Sequence, residues 1–224
     1  MNELTTTAMV LSVMPIGEYD RRIELLSSDL GRISAFAKGA RRPGSALISV
    51  TRVFAFGTFT LYQGKTAYSL QSARISRYFD ELTANMDDVY YGFYFLELAQ
   101  YFTRENLKAE DELKLLYYSL RALSKDVPDN RLVKSIYELK MLVLEGLCPP
   151  LDRLAAMPGK YSNPDTISPG CLRALDHVIR MPVENLYRFI LTPEAEDEFS
   201  GIVKSLLRAC TDREFKSEKM LEPF

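Results

Sequence analysis

Lys38, Arg41 and Arg42 lie within five residues of one another in the stretch FAKGARRPGSA (36–46), bracketed by Gly39, Pro43 and Gly44. Clustered Lys and Arg attract phosphate backbones and release counterions on contact. Glycines let a chain turn and come close to a phosphate, and arginine's planar fork matches two phosphate oxygens at once. The preceding RISAFAK (32–38) alternates, with Ile33, Ala35 and Ala37 on one face and Arg32, Ser34, Phe36 and Lys38 on the other. Cations and a flat ring on one strand face are what single-stranded nucleic acid needs: charge for its backbone and a surface for its bases. The competing reading is a solvated basic loop with Phe36 as an ordinary outer-face residue. Charge alone does not separate the two.

Other chemistry has less to stand on. His177 is the only histidine and falls in a short amphipathic helical pattern, which suits a structural role better than catalysis. Cys148, Cys171 and Cys210 are odd in number, widely spaced and without a CxxC pair, so they read as small buried hydrophobes. KGARRPGS lacks the GxxxxGK[ST] spacing of a phosphate loop. Glu18 and Asp20 are expected as solvated turn residues or as partners of Arg21 and Arg22. No enzyme, cofactor or metal site is expected.

The elements that must position these groups fall into two halves. Residues 1–80 read as five short strands: TAMVLSVMP, RRIELLSS, RISAFAK, RVFAFGTFTLYQG with a bend at Gly57, and AYSLQSARISRYF. That number of strands in that length fits an OB-fold, a small barrel that often binds single strands. From residue 80 the period becomes helical. MDDVYYGFYFLELAQYFTREN has acids at its start, DELKLLYYSLRALSKD spaces Leu113, Leu116, Leu120 and Leu123 by three and four, and DNRLVKSIYELKMLVLEG opens on an Asp/Asn cap and stops near Gly146. Residues 150–170 are rich in Pro, Gly, Ser and Asn and read as an extended connector. Helices headed by Ser168 and by Thr192-Pro193 follow.

The chain has 224 residues, 47% of them apolar and 26% charged, enough to bury a core in one large domain or two small ones. No run approaches the roughly 18 apolar residues of a membrane helix. The N-terminus has no basic start before its apolar stretch, so a cytoplasmic location is expected. The net charge of −2 hides an asymmetry: 1–80 holds ten basic and six acidic residues, and 81–224 holds 18 and 24. Within the acidic half, Arg121, Arg131, Lys134 and Lys140 are candidates for a local basic rim that meets partners, against the plainer reading of solvated helix faces.

Four stretches together resemble the bacterial recombination mediator family RecO: IGEYDRRIELLSSDLGRISAFAKGARRPGS (16–45), YFLEL (94–98), YELKMLVLEGLCPPLD (137–152) and REFKSEKML (213–221). The resemblance implies an α+β chain with an N-terminal five-stranded OB-fold β-barrel (1–79) and an all-helical domain (80–224). The helical part would carry a Pro/Gly-rich, zinc-finger-like connector at about 148–174. It further implies a DNA repair and recombination mediator that binds single- and double-stranded DNA and anneals complementary strands. Such a mediator works with RecR and with the acidic C-terminal tail of single-strand-binding protein, helps load recombinase (RecA), and is bacterial, cytoplasmic and nucleoid-associated. On this reading Arg21, Arg22, Arg32, Lys38, Arg41 and Arg42 contact DNA and Phe36 stacks on a base. The alternative is an OB-fold adaptor that binds only protein. Many members carry two CxxC pairs and bind zinc. Here those positions are Leu154, Met157, Cys171 and Ala174, so no zinc is expected and apolar packing by Leu154 and Met157 would replace the metal.

Overall fold

A computed structural model describes residues 3–65, 67–123, 125, 128–155 and 167–221. Five strands, β1 (Glu3–Ile16), β2 (Asp20–Ser27), β3 (Gly31–Ala37), β4 (Phe56–Gln63) and β5 (Tyr68–Arg77), close into a barrel in the order β1-β2-β3-β5-β4. All pairings are antiparallel except β3 with β5, where Ala35 faces Tyr68 and Phe36 faces Ser69. A single helical turn, α1 (Leu47–Val50), lies between β3 and β4. This is the OB-fold plan expected from the strand count.

β1 is longer than its apolar run suggests. Glu3–Met9 pairs with β4 and Ala8–Ile16 with β2, with a register shift between Val10 and Ser12. A bulge adds twist and bend to a strand, which lets this one strand serve two neighbours. A second irregularity falls at Gly57, where a Cβ would sit 2.2 Å from the Arg74 carbonyl oxygen. The interior is filled by the inward parity of each strand, including Ile23, Leu25, Ile33, Ala35, Phe59 and Leu61.

The helices are α2 (Met86–Phe102), α3 (Glu110–Leu123), α4 (Asn130–Leu144), α5 (Leu151–Ala155), α6 (Pro169–Arg180) and α7 (Pro193–Cys210). The cap side chains of Asp129, Ser168 and Thr192 accept from the backbone N–H groups of Leu132, Cys171 and Ala195. Leu113, Leu116, Leu120 and Leu123 are all buried, as their spacing requires. The connector departs from expectation at its start: Leu151–Ala155 winds into α5, and Leu154 N–H donates to the Pro150 carbonyl. Residues 156–166 lie outside the described residues, as does the expected packing role of Met157.

The chain divides into two compact units, 1–81 with 96–113, and 82–95 with 114–224. In the first, the segment after α2 seals the β2–β3 turn. Arg32 N–H donates to the Arg104 carbonyl, Asn106 N–H to Leu30 and Ala109 N–H to Ser28, and Gly31 bridges Glu105. In the second, α4 is central. Its Tyr137 ring stacks on Phe95 at 4.3 Å, and its hydroxyl donates to the Phe95 carbonyl. Phe215 meets Tyr94 edge-on at 5.9 Å, just before the closing turn Ser217–Met220. Both units thus draw on α2.

Candidate nucleic-acid interface

Strand parity assembles the outer face of the barrel. Burial alternates along β3, with Ile33, Ala35 and Ala37 inside and Arg32, Ser34 and Phe36 half-buried outside. The register then sets Met14, Arg22, Phe36 and Ser69 side by side across β1, β2, β3 and β5. Arg22 Nε donates to Ser34 Oγ at 2.7 Å, which holds the guanidinium against the face that carries the Phe36 ring. Met14 is 61% exposed. This row offers apolar surface and one cation without a carboxylate partner among the described residues.

One end of that face is closed by the basic loop, and the loop is not free. Gly39 N–H donates to Asp20 Oδ1 at 2.7 Å. Arg41 N–H donates to the Tyr19 carbonyl at 2.8 Å, and Arg41 Nη1 donates to the Gly17 carbonyl at 3.2 Å. The Arg42 guanidinium stacks over the Tyr19 ring, 5.2 Å from its centroid. Gly17 and Gly39 take φ values of +54° and +68°, a region that favours glycine. The β1–β2 turn therefore docks the loop, and Asp20 serves as its anchor rather than as a partner of Arg21 or Arg22. A hydrogen bond to a charged group contributes about 1.5–3 kcal/mol. Asp20→Ala is expected to loosen the loop and to speed tryptic cleavage after Lys38 and Arg41 severalfold, read by mass spectrometry of limited digests. Unchanged cleavage would show that Asp20 does not anchor the loop.

The model for the N-terminal part of recombination protein O matches residues 1–79, and the model for its C-terminal part matches 84–219. The chain belongs to the recombination protein O family. It is similar to the DNA repair protein RecO of Acetivibrio thermocellus, 25% identical over 96% of this chain and 94% of that one. It is also similar to the RecO of a Thermoanaerobacter species, 24% identical over 99% and 98%, and to that of Caldicellulosiruptor saccharolyticus, 33% identical over 66% and 61%.

Not every basic residue expected at the RecO barrel face is available there. Arg21 has the opposite parity to Arg22, and its Nη1 donates to the Ile48 carbonyl and to Thr51 Oγ1, so it secures the end of α1 instead of facing outward. Arg32 shares the Phe36 face but pairs with Glu24 at 3.3 Å and donates to the Thr103 carbonyl. Lys38, Arg41 and Arg42 are exposed. Tyr19, which carries the Arg42 guanidinium, and Met14, in the Arg22–Phe36 row, lie with this face and were not singled out from the sequence, nor was Lys65. Lys65 is exposed in the β4–β5 turn, one of the two loops that flank the binding face of an OB-fold. The signal was present: a Lys in one Gly-marked turn and an aromatic in another.

The four cations of the RecO helical part do not form a shared rim. Lys140 is buried, and its Nζ donates to the carbonyls of Val178, Ile179 and Met181 at the end of α6. That is favourable placement for a cation at a helix C-terminus. Lys134 is held between Glu138 and Glu218, at 2.7 and 3.5 Å. Arg131 pairs with Asp197 and Glu196. Arg121 lies over Tyr117 and Tyr118, its carbon 5.9 Å from each ring centroid. Lys134 and Lys140 thus hold the fold together and are too enclosed to meet a partner directly.

The zinc positions of the family do not fit a metal here. Leu154, Cys171 and Ala174 are buried, and of the three only Cys171 has a ligating atom. Burial, helped by Glu198 nearby, pushes its thiol up to about 12, away from the thiolate a metal requires. His177 is packed edge-on to Phe189 at 5.0 Å, with Nε2 3.4 Å from the Asn185 carbonyl oxygen. No described helix is long and apolar enough to cross a membrane.

Proposed function

We propose that this chain is a non-enzymatic recombination mediator that holds single- and double-stranded DNA on the outer face of its barrel. Lys38, Arg41 and Arg42 contact phosphates, Arg22 and Lys65 extend the charge, and Phe36 and Tyr19 offer base-stacking surfaces. It anneals complementary strands and helps load recombinase onto strands coated with single-strand-binding protein. It does so in the bacterial cytoplasm at the nucleoid, with RecR as a direct partner and RecA as an indirect one. The observation that carries the reading is the pinned basic loop beside the Arg22–Phe36 row. A preformed cationic edge loses little freedom when a strand arrives, which favours binding.

The helical part would receive proteins. A cleft of about 570 Å³ between α6 and α7 is lined by Ala174, Phe189 and Ile190, with Arg173 at its edge and the first residues of both helices beside it. Apolar walls, one arginine and two helix N-termini suit an acidic tail with an apolar tip. The arginine and the helix N-termini would meet the acidic C-terminal tail of single-strand-binding protein.

The test is a salt titration of binding to a fluorescent single-stranded oligonucleotide. Each phosphate contact contributes about 0.7 to the slope of log affinity against log salt. Changing Lys38, Arg41 and Arg42 together to Ala is expected to flatten that slope by about 2 and to weaken binding at every salt concentration. Equal slopes for the two proteins would remove the loop from the interface. The adaptor reading draws on the exposure of Met14 and Tyr19. It would be favoured if the wild-type chain showed no salt-dependent binding to either form of DNA.

A further inference from the structure

The second unit holds a small polar cleft of about 210 Å³ where the end of α3 meets the segment after residues 183–185. Arg121 and Lys125, in and just after α3, line it together with Arg188 of the later segment, Tyr118 and Tyr187. Glu184 is the one carboxylate lining it among the described residues.

Three features make this more than a solvated patch. First, several cations of this unit are neutralised locally: Arg131, Lys134, Arg180, Lys204 and Lys219 each have a carboxylate within 4.0 Å. Arg121, Lys125 and Arg188 have none among the described residues, although acids outnumber bases over 81–224. Second, Arg121 is oriented in advance by stacking on Tyr117 and Tyr118, so its fork loses little freedom on meeting an anion. Third, the opposite wall is pinned. Ser119 Oγ donates to the Leu115 carbonyl, so the Tyr187 hydroxyl must donate to Ser119. That bond fixes the residue next to Arg188 against α3.

We infer that this cleft is a second DNA site, taking a backbone phosphate between Arg121, Lys125 and Arg188 with the Tyr118 ring available to an adjoining base or sugar. The lining is more polar than apolar and offers no pocket for the hydrophobic side chains that anchor peptides. Arg, Lys and Tyr around a narrow opening are the groups a phosphate and its nucleoside use. The inference rests on the reading that the barrel face holds one strand, and it gives the chain a place for another. Two separate sites are what annealing requires if both strands are held by one chain.

The test is the stoichiometry of a labelled hexathymidylate at low salt, measured by anisotropy titration. The wild-type chain is expected to bind two per chain. R121A/K125A/R188A and K38A/R41A/R42A are each expected to bind one. In parallel, a hexamer carrying 5-iodouracil is expected to photocross-link to Tyr118, and the helical variant should lose that cross-link at least tenfold. R188E, a single reversal at an exposed position, should lose it as well, which guards against misfolding of the triple variant. Two hexamers on the helical triple variant, or only one on the wild type, would overturn the inference. So would a hexaglutamate peptide that binds the wild type and not R188E while hexamer stoichiometry stays unchanged, since the cleft would then serve acidic protein. If K38A/R41A/R42A alone still binds two, the barrel reading fails, and the helical variant judges the cleft separately.

Discussion

Lys134→Ala is expected to lower unfolding free energy by roughly 3–5 kcal/mol, the range for removing one partner of a buried ion pair. Glu138 is 1% exposed. Its carboxylate accepts from Lys134 Nζ at 2.7 Å and from the Tyr94 hydroxyl, and the ammonium also lies 4.8 Å from the centroid of the Tyr94 ring. Without the ammonium, a carboxylate out of water keeps only the tyrosine among the described residues. Urea denaturation should show a lower midpoint with an unchanged slope. The double change Lys134→Met with Glu138→Leu should recover most of the loss, because two apolar groups need no pairing. If both variants lose equally, packing and not charge accounts for the effect. Alkali gives an independent reading. Burial pulls the Lys134 ammonium down, but Glu138 and Glu218 outweigh it and hold the group above its ordinary 10.5. A raised folded value stabilises fully below the unfolded value and is lost as pH rises through the folded one. The wild type should therefore shed this contribution only above about pH 10.5, and Lys134→Met should lack that step.

Gly31→Ala is expected to cost at least about 4 kcal/mol, the level at which a single change marks a specific steric failure. A Cβ there would stand 2.0 Å from the Arg104 carbonyl oxygen and 2.4 Å from that of Leu107, both backbone atoms, and φ is +67°. The 103–109 segment must retreat. The hydrogen bonds from Arg32 to Arg104 and from Asn106 to Leu30 would go with it. Gly17→Ala is the control. Its φ is +54° with nothing within 4 Å of the added carbon, so only the left-handed strain of about 1–2 kcal/mol remains. Denaturation midpoints should separate the two, and hydrogen exchange should speed at the Arg32, Asn106 and Ala109 amides in Gly31→Ala alone. Equal losses would mean that the seam yields without cost.

Local pattern carried the fold where physics is local. The alternation of RISAFAK, the caps at Asp129, Ser168 and Thr192, and the leucine spacing of α3 all appear as read. The parity error at Arg21 was avoidable, because Ile23 and Leu25 already set which side of β2 faces the interior. Lys140 was not. Its buried fate depends on carbonyls from Val178 to Met181, 38 to 41 residues later, which no spacing rule connects to it. Gly39 and Asp20 are nineteen residues apart; the charge of the loop was legible, but its anchor became visible only once the hairpin brought the two together. At residues 151–155 the flanking prolines suggested extended chain, yet Pro149 and Pro150 precede the helical turn and do not interrupt it.

The sharing of α2 sets a rule for anyone exchanging parts between relatives. A junction placed at the end of β5 would leave the graft without Leu96–Phe102 and the seam behind it, while the remaining chain would display Leu98 and Ala99, side chains that are buried in the intact protein. A junction after residue 113 fails the other way, stranding Tyr94 and Phe95 without Tyr137 and Phe215. Successful chimeras should therefore match residues 86–95 of α2 to the helical partners from one parent and residues 96–102 to the barrel seam from the same parent as that seam, so that shuffling at this boundary selects for compatible helices and not merely for compatible domains.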